Sequence, residues 1–324
     1  MKSLDAKLRS IHAAPGTARD FILADAKDAD MAFGLAAPGV DPATGALRSL
    51  ADYRDQTREI VRQGLVDIVL MSVSTSELLA VEERLFEASP VTPAVRANDT
   101  SDIHLLTGAA APLQPSRPFR TASVEEIVRD AGADLGLYSI TPANDAAHDV
   151  AALQAYRDFR AQARDGRLRH VLELFDPNVP GPHRSEDPGR FLNDFVARTL
   201  AGVPRAGRPL FLKVPYHGPR AMEELAAYDP DLVPGIMGGS SGTTFDAFML
   251  LEGARRHGAR AALFGRRIKS SEHPLAFVTQ LRAIADGQTD AATACRAYHD
   301  ELARLGVRPL RPLADDLLAT QPRA

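Results

Sequence analysis

One lysine of this sequence lies within an apolar stretch, where a charged side chain needs an explanation. Lys213 follows Leu210-Phe211-Leu212 and precedes Val214, a pattern that is typical of a buried strand. Lysine is among the residues least often buried, because its ammonium group is costly to remove from water. Desolvation also lowers the pKa of a lysine, and the neutral amine can then attack a carbonyl carbon to form a Schiff base. A strand-end lysine with a packed stem and a solvated or ion-paired head would show the same pattern.

A glutamate interrupts a second apolar stretch in the same way. Glu173 lies between Leu172 and Leu174 in the segment 170–175. A buried carboxylate and a buried ammonium on adjacent strands would compensate each other's charge. Two interpretations follow: a structural ion pair, or a carboxylate that transfers protons beside an amine nucleophile.

The elements that would position these residues repeat along the chain as an apolar strand followed by a helix. Eight apolar segments qualify as strands: 21–25, 66–72, 91–99, 135–141, 170–175, 209–216, 233–239 and 260–265. Continuous alternation of strands and helices predicts a parallel sheet with right-handed crossovers. Eight such units in 324 residues, with no linker near the midpoint, predict an α/β fold of one domain, the (β/α)8 or TIM barrel. Pro93 makes the third strand the weakest of the eight.

The barrel is expected to span residues 21–287, after an N-terminal extension at 1–20 and before a C-terminal helix and frayed tail at 288–324. Two further segments follow strands, namely 36–50 and the long insertion 177–207 after strand 5. Loops that follow barrel strands lie at the C-terminal rim, where the active sites of this fold are found. Both segments are therefore expected beside the active site.

Local signals mark the ends of several helices. Ser123 and Glu126 have the spacing of a capping box at a helix start. A glycine follows each of four predicted helices and is expected to adopt the left-handed conformation that ends a helix. These glycines are Gly64, Gly132, Gly166 and Gly258.

Polar side chains at the C-terminal ends of barrel strands are the candidates for chemistry. Besides Lys213 and Glu173, these side chains are Asp25, Lys27, Arg96, Asn98, Asp99, Tyr138 and Ser139. Glycine-containing turns follow the seventh and eighth strands, which is where barrels frequently bind phosphate. Glycines let backbone N–H groups approach an anion, although they also serve in caps and tight bends, and an arginine can add a bidentate contact. The two turns are 237–242 and 264–267, and Arg266 is the arginine that could add this contact.

The composition argues against some classes of function. A net charge of −4 without a basic cluster gives no reason to expect nucleic-acid binding. No stretch approaches the roughly 20 apolar residues that span a membrane, and residues 1–20 lack the apolar core of a signal peptide. The single cysteine, Cys295, excludes an internal disulfide and favours a reducing compartment. We expect a cytoplasmic homo-oligomer that binds neither nucleic acid nor membranes.

The sequence resembles the class I (Schiff-base) aldolase barrels, in particular the relatives of tagatose-1,6-bisphosphate aldolase and the archaeal-type fructose-bisphosphate aldolases. The resemblance covers residues 20–285 and lies in short motifs: FLKVPYHG around Lys213, HVLEL around Glu173 and ILADAKDADMAFG around Asp25. The glycine–serine turn, the TFDAF-like helix start and the FGR ending resemble the phosphate site of that family, which maps to Gly239, Ser240, Gly265 and Arg266.

The resemblance implies a role for each of these residues. Lys213 would be the nucleophile, Glu173 and Tyr138 would transfer protons, and Asp25 would accept a proton from a substrate hydroxyl. The substrate would be a small phosphorylated carbonyl compound, and the reaction would need no cofactor and no metal. Two more strand-end side chains are expected to contact the substrate, namely Lys27 and Arg96.

The chain also departs from the family, and alternatives stay open. Many relatives carry a second lysine on strand 4, where this chain has Tyr138 and Ser139. The first hypothesis is a lyase of carbohydrate metabolism, an aldolase that cleaves or forms a C–C bond in a phosphorylated ketose or related keto compound. One alternative is a non-catalytic sugar-phosphate-binding barrel that serves as a sensor. Another is Schiff-base acyl transfer on a phosphorylated diketone.

Overall fold

The predicted single-domain (β/α)8 barrel is confirmed. A computed structural model describes residues 1–40, 44–180, 185–239 and 242–321. Each strand pairs in parallel with the next, and the last pairs with the first. An isolated bridge in which Val214 pairs with Ile236 closes the ring between the sixth and seventh strands. The strands are β1 (Ile22–Lys27), β2 (Ile68–Met71), β3 (Thr92–Arg96), β4 (Leu135–Ile140), β5 (Arg169–Leu174), β6 (Leu212–Lys213), β7 (Gly235–Met237) and β8 (Ala261–Phe264).

Helices return the chain from each strand to the next. In strand order they are Leu50–Gln63, Val73–Ser76 continued by the π-helix Glu77–Glu82, Val124–Arg129, Ala146–Asp165, Pro188–Ala201, Gly218–Tyr228, Thr244–Arg256 and Pro274–Ala285. Further helices and short 3-10 turns are Ser3–Ala13, Ala29–Phe33, Gly34–Ala36, Ser101–His104, Gly108–Leu113, Arg205–Gly207, Arg266–Ser270, Ala291–Arg304 and Leu313–Asp316. Within the described ranges, none of these helices has both the length and the apolar character that crossing a bilayer requires.

Side chains alternate between the two faces of each strand, so every second residue points into the barrel. On β1, Ile22 and Ala24 belong to the apolar core inside the barrel, whereas Leu23 packs in the layer between strands and helices. Of two neighbouring residues in a strand, one therefore points into the barrel interior and the other towards the helix layer.

The first helix closes the N-terminal end of the barrel. Leu4, Leu8 and Ile11 are buried and belong to the same apolar cluster as the inward side chains of the strands. Lys7 Nζ lies 2.8 Å from Asp67 Oδ2, at the start of β2. The predicted N-terminal extension therefore contributes to the core, and the interior is sealed at this end.

Most of the predicted helix ends are confirmed. Ser123 and Glu126 form the capping box, with each side chain accepting a hydrogen bond from the backbone of the other. Gly64, Gly132 and Gly258 have positive φ angles, as the terminator pattern requires. The fourth glycine differs: Gly166 has a φ of −82°, and the next residue, Arg167, takes the left-handed conformation with a φ of 56°.

The rim segments differ in part from the expectation. The segment 177–207, predicted as a long insertion, contains the helix Pro188–Ala201, which is the regular returning helix after β5. A second excursion follows β3, where residues 97–123 include the helix Ser101–His104 and a short antiparallel strand pair, Asp99–Thr100 with Pro118–Phe119. This excursion was not predicted from the sequence, because apolar residues do not recur at a regular spacing in the third strand and the loop that follows it.

The C-terminal tail is bound to the barrel rather than frayed. Asp316 Oδ1 accepts a hydrogen bond of 2.8 Å from the backbone N–H of Thr244, at the start of the helix that follows β7. Its other oxygen lies 2.9 Å from His299 Nε2. Further along, the Thr320 side chain donates to Asp246 Oδ2 at 2.6 Å. The tail therefore fixes the start of the helix that the predicted phosphate-binding turn leads into.

We expect Asp316→Ala to lower the free energy of unfolding by about 1–3 kcal/mol, because it leaves a buried backbone N–H at Thr244 without an acceptor. The matched control is Asp315→Ala, which removes an exposed carboxylate one residue away. Urea unfolding of both variants measures the difference. Equal stability of the two variants would show that the tail does not support this helix.

Candidate active site

The strand register brings three polar side chains into one row inside the barrel. Ser139 on β4 pairs with Glu173 on β5, and Glu173 pairs with Lys213 on β6. All three belong to the inward set of their strands, because Leu137 and Val171, two residues earlier, lie in the interior core. The predicted neighbourhood of Glu173 and Lys213 thus follows directly from the parallel register.

Lys213 and Glu173 form a buried ion pair. Their side chains are almost inaccessible, with Lys213 7% and Glu173 1% exposed, and the ammonium contacts carboxylate oxygen Oε1. The second oxygen, Oε2, accepts hydrogen bonds from Ser139 Oγ at 2.5 Å and from the Arg96 guanidinium at 3.2 Å. Both oxygens of Glu173 are therefore occupied, which fixes the orientation of the carboxylate beside the amine.

Glu173 is a carboxylate at neutral pH despite its burial. Burial by itself raises the pKa of this group, but the charges of Lys213 and Arg96 outweigh that effect and, with the Lys213 and Ser139 hydrogen bonds, lower the pKa to about 2. The low pKa depends on the positive charge of Lys213. Loss of that charge during a reaction would raise the pKa of Glu173 and make it a better proton acceptor.

Arg96 connects this pair to a second carboxylate. Its Nε lies 2.5 Å from Asp28 Oδ2, and its terminal nitrogens bind Ser139 Oγ at 2.8 Å and Glu173. Burial lowers the pKa of Arg96, whereas Asp28 and Glu173 raise it by more, so the guanidinium stays charged. Asn98 supports the network by exchanging two hydrogen bonds with the backbone of Ser139, at 2.6 and 2.8 Å.

The ion pairs line a cavity of about 380 Å³ at the C-terminal rim. This volume is within the range of small-molecule sites. Its ionisable lining side chains are Asp28, Arg96, Asp102, His104, Glu173, Lys213 and Arg266. Its apolar lining includes Ala29, Ala32, Phe33, Ile103, Leu106, Ala111, Phe175, Met237 and Leu263.

His104 contributes a neutral imidazole to the cavity wall. Burial, together with the positive charge of Arg96, lowers its pKa to about 4. Its Nδ1 lies 3.0 Å from the backbone nitrogen and 3.2 Å from the backbone oxygen of Thr100, which fixes the orientation of the ring. His104 therefore adds a polar but uncharged group to the cavity wall.

Asp25 and Lys27, predicted as site residues, lie outside the cavity. Ala26 lines the cavity, and the side chains on either side of it point to the helix layer. There, Lys27 Nζ lies 3.5 Å from Asp25 Oδ2 and 5.5 Å from the ring centroid of Tyr53. Burial raises the pKa of Asp25 to about 6. The carboxylate from this strand end that reaches the cavity is Asp28, so Asp28 replaces Asp25 in the candidate site.

Tyr138, predicted as a proton donor, also faces away from the cavity. Its ring stacks on Phe159 with centroids 4.5 Å apart, in the layer between β4 and the helix Ala146–Asp165. The reason is the alternation of β4, in which Leu137 and Ser139 point inward. Burial raises the pKa of the Tyr138 phenol, which is consistent with a packing role. Ser139 takes the inward position on this strand.

Three of the four predicted phosphate-site residues line the cavity: Gly239, Gly265 and Arg266. Gly239 has a φ of +64°, a conformation that favours glycine. A Cβ atom at Gly265 would lie 2.6 Å from the carbonyl oxygen of Ala26, so only glycine fits there. Ser240 lies outside the described residues.

Neither Asp28 nor His104 was predicted from the sequence, and Ser139 was not distinguished from Tyr138 as the inward residue of β4. Asp28 and Ser139 follow from the alternation of β1 and β4, since inward residues recur at every second position of a strand. Starting from Ala24 and Ala26, this rule reaches Asp28. His104 lies in the excursion after β3, and no strand pattern extends to it.

The fold and the lysine–carboxylate pair define a class of structure, the (β/α)8 barrel with a buried amine facing a rim cavity. Solved structures with this fold include an archaeal fructose 1,6-bisphosphate aldolase with a TM-score of 0.63 and 18% identity, over 86% of this chain and 99% of the other. A Schiff-base-forming fructose-1,6-bisphosphate aldolase, studied through its reaction intermediates, matches with a TM-score of 0.63 and 20% identity, over 86% and 98% of the two chains.

A fructose-bisphosphate aldolase from Slackia heliotrinireducens has a TM-score of 0.67 and 16% identity, over 92% of this chain and 90% of the other. The predicted resemblance to archaeal-type aldolases is thus confirmed for the fold, across most of the chain. Neither a protein-family model nor a curated protein sequence matches the chain.

The placement of Asp25 and Lys27 predicts how their replacement affects stability. Lys27→Met alone leaves a buried carboxylate without its partner and should destabilise the fold by about 3–5 kcal/mol. The double variant Asp25→Leu, Lys27→Met should be neutral or stabilising, by up to about 4 kcal/mol at pH 7.

The stability difference between this double variant and the wild type should also depend on pH. The pKa of Asp25 is raised to about 6, so the folded wild type binds more protons than the unfolded chain between pH 4 and 6. Protonated Asp25 therefore contributes about 3 kcal/mol to the free energy of unfolding of the wild type below pH 4. This contribution is lost as the pH rises from 4 to 6. Urea unfolding at several pH values measures the difference, and a flat difference would contradict the burial of the pair.

Proposed function

We propose that the protein is a class I aldolase, a lyase that cleaves or forms a C–C bond in a phosphorylated ketose or related keto compound. The observation that carries this proposal is the Lys213–Glu173 pair at the cavity, with Glu173 held by Ser139 and Arg96. An amine beside an oriented carboxylate is the arrangement that Schiff-base chemistry requires.

Glu173 moves the protons for Schiff-base formation. It accepts a proton from the Lys213 ammonium, and the neutral amine then attacks the substrate carbonyl carbon to give a carbinolamine. Glu173 returns the proton to the carbinolamine hydroxyl, which leaves as water and produces the iminium. The cationic iminium again faces an ionised Glu173, so charge in the pocket is the same before and after the step.

The iminium accepts the electron pair of the C–C bond when it breaks, and the product on the enzyme is an enamine. The bond joins the carbons α and β to the iminium carbon, and it breaks as the hydroxyl on the β carbon loses its proton and that carbon leaves as an aldehyde. Asp28, on the far side of Arg96 from Glu173, takes the role of proton acceptor that the sequence suggested for Asp25. Gly239, Gly265 and Arg266 bind the phosphate and so position the carbonyl near Lys213.

Reduction with borohydride in the presence of dihydroxyacetone phosphate tests the nucleophile. We expect a covalent adduct on Lys213, located by peptide mass spectrometry, because reduction makes the Schiff base permanent. The other buried lysine of the β-strands, Lys27, faces the helix layer and provides an internal control. Labelling that persists in Lys213→Met, or that falls on Lys27, would disprove the assignment. Binding of the phosphate ester without an adduct would favour the non-catalytic sugar-phosphate-binding alternative.

Glu173→Gln should lower kcat by about 10²–10⁴ while the fold is retained, because the amide cannot carry the proton between amine and carbinolamine. The matched control is Tyr138→Phe, which removes a hydroxyl from the helix layer and should leave kcat unchanged. Steady-state retro-aldol kinetics on both variants measure the effect. A large loss of kcat in Tyr138→Phe would restore that residue as the proton donor.

A further inference from the structure

The cavity contains more carboxylates than free cations. Among the described residues, three cationic side chains line it: Lys213, Arg96 and Arg266. Lys213 is paired with Glu173, and Arg96 is paired with both Glu173 and Asp28. Within the described part of the chain, Arg266 makes no ion pair. One anionic group can therefore bind at Arg266 without breaking an existing pair.

The opposite part of the cavity wall is unsuited to a second anion. It is formed by the loops after β1 and β3, which contribute six apolar side chains, the carboxylates Asp28 and Asp102, and the neutral imidazole of His104. An anion placed there would lose water and, among the described residues, would find no unpaired cation, which is costly. The six apolar residues are Ala29, Ala32, Phe33, Ile103, Leu106 and Ala111.

The order of strands places the turns with Gly239 and Arg266 nearest to Lys213, and the loops after β1 and β3 farther round the barrel. Gly239 and Arg266 follow β7 and β8, which are the next strands round the barrel from β6 and its lysine. The loops after β1 and β3 flank β2, which lies across the barrel from β6. A substrate whose anion binds at Arg266 and whose carbonyl reaches Lys213 has the loops after β1 and β3 as the main remaining wall for the rest of its chain.

From this arrangement we infer that the substrate carries a single anionic group, on the carbonyl side, and that its other end is uncharged and mainly apolar. In the direction of synthesis, the acceptor is an uncharged aldehyde rather than a phosphorylated one. This inference rests on the proposed aldolase activity and deepens it. Phe33 is 44% exposed at the mouth and extends the apolar wall towards solvent, where a longer apolar chain would lie.

Aldol addition of dihydroxyacetone phosphate to a matched pair of aldehydes tests the inference. The pair is glyceraldehyde and glyceraldehyde 3-phosphate, which differ only in the phosphate. We expect kcat/KM to be higher for the uncharged aldehyde by about tenfold or more, because the phosphorylated one leaves an unpaired charge at the apolar wall. Butanal should react at least as well as glyceraldehyde. Preference for glyceraldehyde 3-phosphate, or failure of butanal to react, would overturn the inference.

A charge introduced into the apolar wall provides the second test. Leu106→Lys should reverse the preference towards the phosphorylated aldehyde, by about tenfold in the ratio of kcat/KM values. The matched control is Leu105→Lys, one residue earlier, whose side chain is 65% exposed and points away from the lining set. An unchanged ratio in Leu106→Lys would contradict the assignment of this wall.

Failure of the inference can be told apart from failure of the proposed function. Borohydride trapping with dihydroxyacetone phosphate reports only on the nucleophile and on the anion site at Arg266. An adduct on Lys213 together with a preference for the phosphorylated aldehyde overturns the inference alone. Absence of any adduct overturns the proposed function, and the inference with it.

Discussion

Charge compensation inside the barrel is the constraint on which the rest of the site depends. Lys213, Glu173, Arg96 and Asp28 form a chain of alternating charges, each in contact with the next. The sum of these charges is zero, so the group can be buried at the end of an apolar interior. Removing one member would leave an unpaired charge in a medium that cannot solvate it, which is costly. The same row of charges holds the Glu173 carboxylate beside the Lys213 amine. The stability of the fold and the arrangement of the candidate site therefore depend on one network.

This network can form because parallel strands keep their register at the C-terminal end. Neighbouring strands place Ser139, Glu173 and Lys213 side by side, and Arg96 reaches across from β3. The other end of the barrel is filled by the first helix and apolar side chains. The polar network therefore lies at the C-terminal end of the barrel, where it lines the rim cavity.

The rim loops determine what that cavity can accept. The turns after β7 and β8 bring glycine backbone and Arg266 to one side, and the bound C-terminal tail holds the helix after β7 in place. The excursions after β1 and β3 give the other side mainly apolar side chains, together with Asp28, Asp102 and His104. The strands position the row of Ser139, Glu173 and Lys213, and the loops set the chemical character of the cavity around it.

The sequence by itself determined the barrel and its buried lysine–glutamate pair. All eight strands could be recognised because each is an apolar segment followed in sequence by a helix. Lys213 and Glu173 could be recognised as charged residues within such segments. Only the tertiary structure decided which strand-end residues face the cavity. Asp25, Lys27 and Tyr138 lie in the helix layer, whereas Asp28 and Ser139 face the interior. The physical reason is the two-residue period of a strand: a shift of one position exchanges its faces, and when a strand is buried on both sides its composition does not mark the inward one.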